Sequence, residues 1–249
     1  MSKSKGNVVA PEDMIARYGA DALRAYILFM APPDKDLEWS QEGLEGMYRF
    51  VNRIWRSVFD LSGEAVVDED GNLLSVYDKS LGPDDAASRG VDLNRELHRV
   101  IGKVTGDIDR FNFNTAISAI MELANTVQSY IKLPHELRND ELANRAAQTL
   151  LLLLAPFTPH IADELWQQVL GKRDSVHLQP WPSYDSAQAI ASTLELAVQL
   201  NGKIKARITV ASDADDEEVR REALSAVSEA IGERNVRKVI VVQGKLVSV

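Results

Sequence analysis

The period of the hydrophobic pattern changes near Leu194, and this change constrains the fold more than any other feature of the sequence. Before that point apolar residues recur every three or four positions, as amphipathic helices require. After it apolar and polar residues alternate, which is typical of half-buried strands. Pro180 and Pro182 precede the change and indicate a boundary. The sequence therefore predicts a helical domain followed by a smaller domain that contains a sheet.

Capping residues and prolines divide the helical part into segments. We expect Asp21, Asn114 and Thr158 to act as N-caps, because short polar side chains can accept from the free N–H groups of a first turn. Five consecutive leucines, 150–154, make one segment apolar on every side and predict that it is the most buried helix. The predicted helices cover residues 11–19, 21–31, 40–60, 91–110, 114–131, 140–155 and a segment that begins after Thr158.

The first turn between strands allows two registers. A two-residue loop of Asn201 and Gly202 would set lysines opposite Val198 and Leu200 and mix charge into the apolar face. A three-residue loop, 200–202, with Gly202 in the left-handed position of a bulge, keeps the apolar residues together, and we expect this one. It would pair Val198 with Ile204, Leu194 with Ile208 and Glu195 with Arg207.

The same alternation defines the rest of the second domain. Acidic residues from Asp213 to Glu218 open a helix that Gly232 can end. A second hairpin would pair residues 236–242 with residues 245–249. The predicted fold is therefore mainly α, with a helical bundle followed by a small α+β domain in the order ββαββ.

The net charge of −9 argues by itself against a nucleic-acid partner. Between Asp60 and Asp85, however, eight acids stand against one base, so that this stretch alone contributes −7. The remainder of the chain is nearly balanced and can carry local basic faces. With Gly71, Gly82 and Pro83, the acidic stretch is typical of a solvated connector between helices.

Several classes of site are excluded by composition. The chain has no cysteine, which excludes disulfides and thiolate metal sites and fits a cytoplasmic protein. Its four histidines show no ligand spacing, so we expect no metal site. No run of about eighteen apolar residues occurs, so no membrane partner is expected.

Two groups of basic residues are candidates for RNA contact. On the helix over 40–60, three arginines recur opposite the apolar stripe, and the alternative is a solvated face with bases placed downstream of acids. On the C-terminal strands, lysines and arginines alternate with apolar residues while the acids collect on the helix, and the alternative is protection of a sheet edge. The candidates are Arg49, Arg53 and Arg56 in the first group, and Lys203, Lys205, Arg207, Arg237, Lys238 and Lys245 in the second.

Several stretches carry a resemblance to a known family. The run Met1-Ser2-Lys3-Ser4-Lys5-Gly6 is followed by Pro11-Glu12-Asp13 and by Tyr18-Gly19-Ala20-Asp21-Ala22-Leu23-Arg24. In this order and spacing the chain resembles the end of a class I aminoacyl-tRNA synthetase catalytic domain, starting inside its Lys-Met-Ser-Lys-Ser loop. Residues 31–40 resemble the leucyl-tRNA synthetases, 154–166 is similar to several class I relatives, and the ending from Val198 resembles bacterial leucyl enzymes.

The resemblance implies a catalytic role for Lys3 in amino-acid activation, in which leucine and ATP form an adenylate and release pyrophosphate. A lysine ammonium is a compact cation that can stabilise charge developing on the phosphates. ATP, with Mg²⁺, is the implied cofactor of the full-length enzyme, and its implied contacts in the signature loop are Met1, Ser2, Lys3, Ser4 and Lys5. The sequence has no Gly-rich phosphate cradle and no His-Ile-Gly-His-type signature, so we expect neither catalysis nor a cofactor in this part alone.

The resemblance also implies domains and partners. Residues 1–39 would end the catalytic domain, 40–184 would form a bundle of the class I anticodon-binding type, and 190–249 would form a small tRNA-binding domain. The implied partners are a leucine-accepting tRNA and the rest of the synthetase chain, and the implied state is a cytoplasmic monomer. The alternative is a free-standing helical module that binds protein. The half-signature at Met1 favours the synthetase, because an independent module has no reason to begin inside an active-site loop.

Overall fold

A computed structural model describes residues 9–36, 38–62, 77–190, 193–200, 202–211, 214–232, 236, 238–242 and 246–249. The chain divides into two compact units, Met1–Ala189 and Ile190–Val249. The first is helical and the second combines a sheet with helices. This confirms the predicted fold class, a mainly α chain in which a helical bundle precedes a small α+β domain.

The helical unit contains helices that follow the apolar periodicity closely. They are α1 (Pro11–Tyr18), α2 (Ala20–Met30), α3 (Gln41–Ser62), α4 (Pro83–Asp109), α5 (Phe113–Tyr130), α6 (Asp140–Leu154) and α7 (Pro159–Glu164), with a π-helical turn at Leu165–Val169 and 3₁₀ turns at His135–Leu137 and Val176–Leu178. Helix α6 carries the five leucines, of which Leu150, Leu151, Leu153 and Leu154 are buried. Each buried leucine stabilises the fold by about 1.5–3 kcal/mol, which makes α6 central to the core.

Helix α4 begins before the point that the hydrophobic pattern predicts. Pro83 occupies its first turn, and Asp85 Oδ2 accepts a hydrogen bond from the Gly82 N–H at 2.9 Å. Acids are favourable there because the first turn of a helix carries partial positive charge. The end of the predicted connector is therefore the beginning of a helix. Residues 63–76 lie outside the described residues, and for them the connector stays a prediction.

None of the three predicted N-cap residues, Asp21, Asn114 and Thr158, caps its own helix with its side chain. Asp21 instead caps another helix. Its side chain accepts from the Ile161 N–H at 2.7 Å and contacts His160 Nδ1 at 2.8 Å, and thus caps α7 from a distant helix. This bond takes the place of the cap expected from Thr158, which makes no side-chain cap. Asn114 lies inside the first turn of α5. Local sequence cannot show a cap that comes from 140 residues away.

The segment that the prolines mark as a linker is a strap over residues 180–188 that runs along α4. Its hydrogen bonds to α4 join Trp181 Nε1 to Thr105 Oγ1 (2.8 Å), the Asp185 N–H to His98 Nδ1 (3.0 Å) and Gln188 Oε1 to Asn94 Nδ2 (3.1 Å). The strap therefore belongs to the helical unit, and the division between the units falls after Ala189.

A chain that ends after Ala189 is expected to fold alone, because it keeps the whole helical core and the strap. Circular dichroism should show strong helicity and a cooperative melt. A chain that ends after Tyr184 loses the bonds of Asp185 and Gln188 and should still fold, but melt about 2–4 °C lower. Aggregation or loss of helicity in the longer chain would show that the helical unit depends on the second unit.

Asp163 fixes the end of α7 to the chain that follows it. Its carboxylate accepts from Ser175 Oγ at 2.7 Å, from the Val176 N–H at 2.9 Å and from Gln167 Nε2 at 2.9 Å. The pKa of Asp163 lies below its ordinary value, mainly because the Ser175 hydroxyl donates a hydrogen bond to the carboxylate. Partial burial acts in the opposite direction and raises the pKa. These bonds favour the charged carboxylate in the folded state.

The stability that Asp163 contributes should depend on pH. Because its folded pKa is depressed, the contribution is complete above the unfolded pKa of about 3.9 and is lost as the pH falls through the folded pKa. Asp163→Asn should lower Tm by about 2–4 °C at pH 7, with a smaller difference below about pH 4. The neighbouring exposed Glu164→Gln is the control and should show no such trend. A difference that stays constant down to pH 3 would contradict the argument.

The second unit, the sheet unit, is a four-stranded sheet covered on one face by a helix. Its elements are β1 (Thr193–Leu200), β2 (Lys203–Ala211), α8 (Asp216–Ala226), α9 (Ser228–Ile231), β3 (Ile240–Val242) and β4 (Leu246–Ser248). The strand order is β2-β1-β4-β3, with β1 and β4 parallel and the two hairpins antiparallel. Val198 and Val247 at the centre are fully buried under Val219 and Ala223 of α8.

The register of the first hairpin differs from the prediction. The pairs are Leu200 with Lys203, Gln199 with Ile204, Val198 with Ala206, Ala197 with Arg207, Leu196 with Ile208, Glu195 with Thr209 and Leu194 with Val210, with a bulge between Val198 and Gln199. The three-residue loop is therefore wrong. An extra residue is needed to keep the apolar side chains on one face. The bulge supplies it within β2, at Lys205, and leaves a two-residue turn in which Gly202 has φ +79°.

Candidate nucleic-acid interface

The bulge in β2 changes which basic residues share a face of the sheet. From Lys205 onward exposure alternates: Lys205, Arg207 and Thr209 are exposed, while Ile208 and Val210 are buried. Lys203 lies before the bulge and pairs with Leu200, which is on the same face as buried Val198. The expectation that Lys203, Lys205 and Arg207 all point to one face is therefore wrong for Lys203, although all three are exposed.

The outer face of the sheet, opposite α8, is less polar than the sequence suggested. Ile204 pairs with Gln199 on this face and is 58% exposed. Ile240 and Val242 of β3 are also exposed. In a regular strand Ile204 would face the core, like Ile208 and Val210. The bulge at Lys205 shifts the alternation of side chains by one residue, so Ile204 faces the outer side of the sheet. The outer face thus combines the basic side chains of β2 with an apolar surface.

The sheet unit carries a cluster of acids on its helix, whereas Glu195 lies on β1 and pairs with Thr209. Asp216, Glu217 and Glu218 occupy the first turn of α8, which the Asp215 carboxylate caps by accepting from the Glu218 N–H at 2.8 Å. Arg220 and Arg221 are beside acids on the same helix, at 3.7 Å from Asp216 and 3.9 Å from Glu218. The described residues thus place a cluster of acids in the first turn of α8 and three bases on β2.

The three arginines of α3 border a groove on the helical unit. The groove has a volume of about 570 Å³ and an apolar floor that includes Met47, Phe50 and Met121. Arg49, Arg53 and Arg56 line its rim. Gly43 and Gly46 also line it, and Gly43 leaves room for the Tyr26 ring, which a Cβ at this position would approach to 2.9 Å.

The surroundings of these arginines bear on the solvated-face alternative. Within the described residues none of the three forms an ion pair. The Arg53 guanidinium lies 5.5 Å from the Phe50 ring centroid. Its buried Nε has no hydrogen-bond partner among the described residues. The upstream acid Glu45 instead accepts from the Tyr18 hydroxyl at 3.1 Å. The arginines therefore form no ion pair with the upstream acids, which agrees both with a solvated face and with RNA contact, and their role stays a prediction.

The remaining predicted site residues are divided between exposed and undescribed positions. Lys238 is exposed just before β3. The signature-loop residues Met1, Ser2, Lys3, Ser4 and Lys5, together with Arg237 and Lys245, lie outside the described residues, and their roles stay predictions. In the part of the chain that the structure describes, no group of three acids or histidines is arranged to hold a metal. None of the described helices has the length and apolarity needed to cross a membrane.

Comparison with known proteins places this architecture in a family. The family profile described as the anticodon-binding domain of tRNA ligase matches residues 92–220, and that of class I tRNA synthetases (I, L, M and V) matches residues 1–40. The chain belongs to the family of anticodon-binding domains of tRNA ligases.

The sequence relatives narrow this class. The chain is 43% identical to a leucine–tRNA ligase of Geobacter sp. (strain M21) over 252 residues and to one of Geotalea daltonii over 255, in each case across 100% of this chain. It spans 29% of the length of these relatives. A crystal structure of the ternary complex of Agrobacterium radiobacter K84 agnB2 LeuRS, tRNA and LeuAMS aligns with a TM-score of 0.72 and 28% identity, covering 100% of this chain and 31% of that one.

Proposed function

We propose that this chain is the tRNA-binding C-terminal region of a leucine–tRNA ligase, which attaches leucine to its tRNA with ATP. The observation that carries the proposal is the 43% identity to leucine–tRNA ligases along the whole chain, across both units. The agnB2 LeuRS that shares this fold was crystallised with tRNA. The free-standing protein-binding module has no comparable support.

The basic side chains supply the chemistry for RNA contact. Lys205 and Arg207 on the sheet, and Arg49, Arg53 and Arg56 on the groove, can each neutralise a phosphate. Phosphate contacts position a protein on RNA without reading its sequence, so the bundle would hold the backbone of the tRNA. Lys203, Arg237, Lys238 and Lys245 would extend the basic surface of the sheet unit.

The activation chemistry belongs to the parent enzyme. Lys3 would stabilise charge on the phosphates of ATP, and Met1, Ser2, Ser4 and Lys5 would complete the signature loop. Mg²⁺ would accompany the ATP in the parent. The partners of this chain would be a leucine-accepting tRNA and the rest of the synthetase, in a monomeric cytoplasmic enzyme. The absence of cysteine fits a reducing compartment.

Titration of the purified chain with a leucine tRNA transcript at several salt concentrations tests the proposal. Binding should be detectable at low salt and weaken as salt rises, because each phosphate contact releases a counterion. With about three contacts the log–log slope should lie near −2 to −3. A protein of similar net charge without basic faces is the control and should not bind. Failure of the chain to bind tRNA at low salt would reject the proposed role.

A further inference from the structure

The turn between α4 and α5 holds Phe111 in a backbone conformation that a bulky residue rarely adopts. Its φ is +59°, and among the described residues no other non-glycine has a positive φ. The Phe111 N–H donates to the Ile108 carbonyl at 3.0 Å, and the Asn112 N–H donates to the Asp107 carbonyl at 2.8 Å. These bonds form a helix-ending motif whose left-handed position is ordinarily glycine. A side chain at this position strains the backbone.

Packing does not compensate for this strain. Phe111 is 64% exposed, so little of its surface is removed from water. Its ring meets the Phe113 ring at 5.5 Å between centroids with an interplanar angle of 65°, and Phe113 in turn meets the buried Phe157 at 6.2 Å. The Phe113 and Phe157 rings belong to the helical core, and Phe113 contacts the edge of the exposed Phe111 ring. The Phe111 ring is therefore exposed and fixed in position by Phe113, and its burial adds little to the stability of the fold.

The residues beside Phe111 indicate what the ring can bind. Arg110 is 68% exposed in its side chain, and its partner Asp107, at 3.4 Å, is held more closely by Lys103 at 2.9 Å. Asp109, which precedes Arg110, is also exposed. Phe111 is the one large exposed apolar side chain within the turn between the described helices α4 and α5, and its neighbours Asp109 and Arg110 are charged. A protein partner needs a wider apolar patch than a single ring. An exposed ring beside a guanidinium matches an unpaired nucleobase and its phosphate.

We propose that Phe111 stacks against an unpaired base of the bound RNA, with Arg110 contacting the adjacent phosphate. The inference rests on the proposed function, since it requires an RNA ligand. It adds a contact that the basic residues cannot make. The strained turn presents the ring at the end of the α4–α5 hairpin, where an unpaired base can stack on it.

Substitution by residues that accept the same backbone tests this role. Asn and Gly both tolerate a positive φ, so Phe111→Asn and Phe111→Gly remove the ring and keep the turn. Each should weaken binding of a leucine tRNA transcript by about 5- to 150-fold, the range for loss of one base–aromatic stack. Their Tm should equal or exceed that of the parent, because the strain is relieved. Phe111→Trp should retain affinity, and its added fluorescence should be quenched when tRNA binds.

Two controls distinguish base stacking from a general loss of RNA affinity and from a loss of apolar surface. A fully paired RNA duplex offers no unpaired base within its stem, so its affinity should be the same for the parent and the Phe111 variants. Val91→Ala removes an exposed apolar side chain elsewhere, on α4, and should leave tRNA binding unchanged. An affinity of the Asn and Gly variants for tRNA within twofold of the parent would overturn the inference, as would an equal loss on duplex or a marked fall in Tm.

Titration of the unmodified chain, called the parent in these experiments, separates a failure of the proposed function from a failure of the stacking role alone. If the parent does not bind tRNA, the proposed function fails and the RNA partner of Phe111 fails with it. If the parent binds tRNA with the expected salt dependence and is indifferent to position 111, only the stacking role is rejected. A protein partner for the tip would produce this second outcome.

Discussion

Leucine-dependent ATP–pyrophosphate exchange by this chain alone is expected to stay at background. Activation requires the lysine of the signature loop to be positioned against a bound ATP, and effective positioning accounts for a large part of enzymatic rate enhancement. The chain has Lys3 but none of the sequence signatures that bind the nucleotide. A full-length relative such as the Geobacter leucine–tRNA ligase, 43% identical over the shared region, is the positive control. We expect its exchange rate to exceed that of the chain by at least about 10³-fold.

A Lys3→Ala variant of the chain provides the matched negative control. If the chain has no ATP site, the variant and the parent should give the same background rate. Leucine-specific exchange by the pure chain that disappears in the Lys3→Ala variant would contradict the prediction. It would also show that a nucleotide site exists without a Gly-rich phosphate cradle or a His-Ile-Gly-His-type signature.

The helical part of the fold was predictable because its signals are local. The repeat of apolar residues locates α1 to α6, and the leucine run correctly indicated a helix of the core, although α5 has as many buried residues as α6. Helix starts were less predictable, because the cap of α7 comes from Asp21 on another helix. A sequence pattern records which residues face the core, but it does not record which distant side chain satisfies a free N–H group.

The sheet shows how a correct physical requirement can be met in an unexpected place. The apolar residues of β1 and β2 must share one face, so the hairpin needs one extra residue. The prediction placed it in the turn, and the structure places it at Lys205 inside the strand. Both arrangements keep Ile208 and Val210 in the core, and alternation alone cannot distinguish them. The difference matters for function, because it separates Lys203 from Arg207 and exposes Ile204.

The candidate site was predictable only in its charges. Clustered bases identify Arg49, Arg53, Arg56 and the lysines of β2 as candidates, because charge is a property of the sequence. Phe111 carries no such signal. An aromatic residue between two helices is more often part of the core, and its exposure and positive φ are visible only in three dimensions.

Charge reversal on β2 is expected to weaken tRNA binding strongly. Lys205→Glu with Arg207→Glu removes two exposed cations from the outer face of the sheet. If both contact phosphates, affinity at about 0.1 M salt should fall roughly 10- to 100-fold, and the log–log slope should become less negative by about 2. Adding Lys203→Glu should have a smaller further effect, because the bulge turns that residue toward the other face. Circular dichroism and Tm should stay close to those of the parent.

The helix on the other side of the sheet offers a control with the same change in charge. Arg220→Glu with Arg221→Glu also replaces two basic side chains by two acids, but on α8, among acids. If net charge alone determined affinity, both double variants would weaken binding equally. A local phosphate contact predicts a loss only for the β2 variant, and a similar loss for a leucine tRNA and a non-cognate tRNA of comparable shape. Unchanged affinity and slope in the β2 variant would leave these residues as protection of a sheet edge, and Arg49, Arg53 and Arg56 would become the stronger candidates.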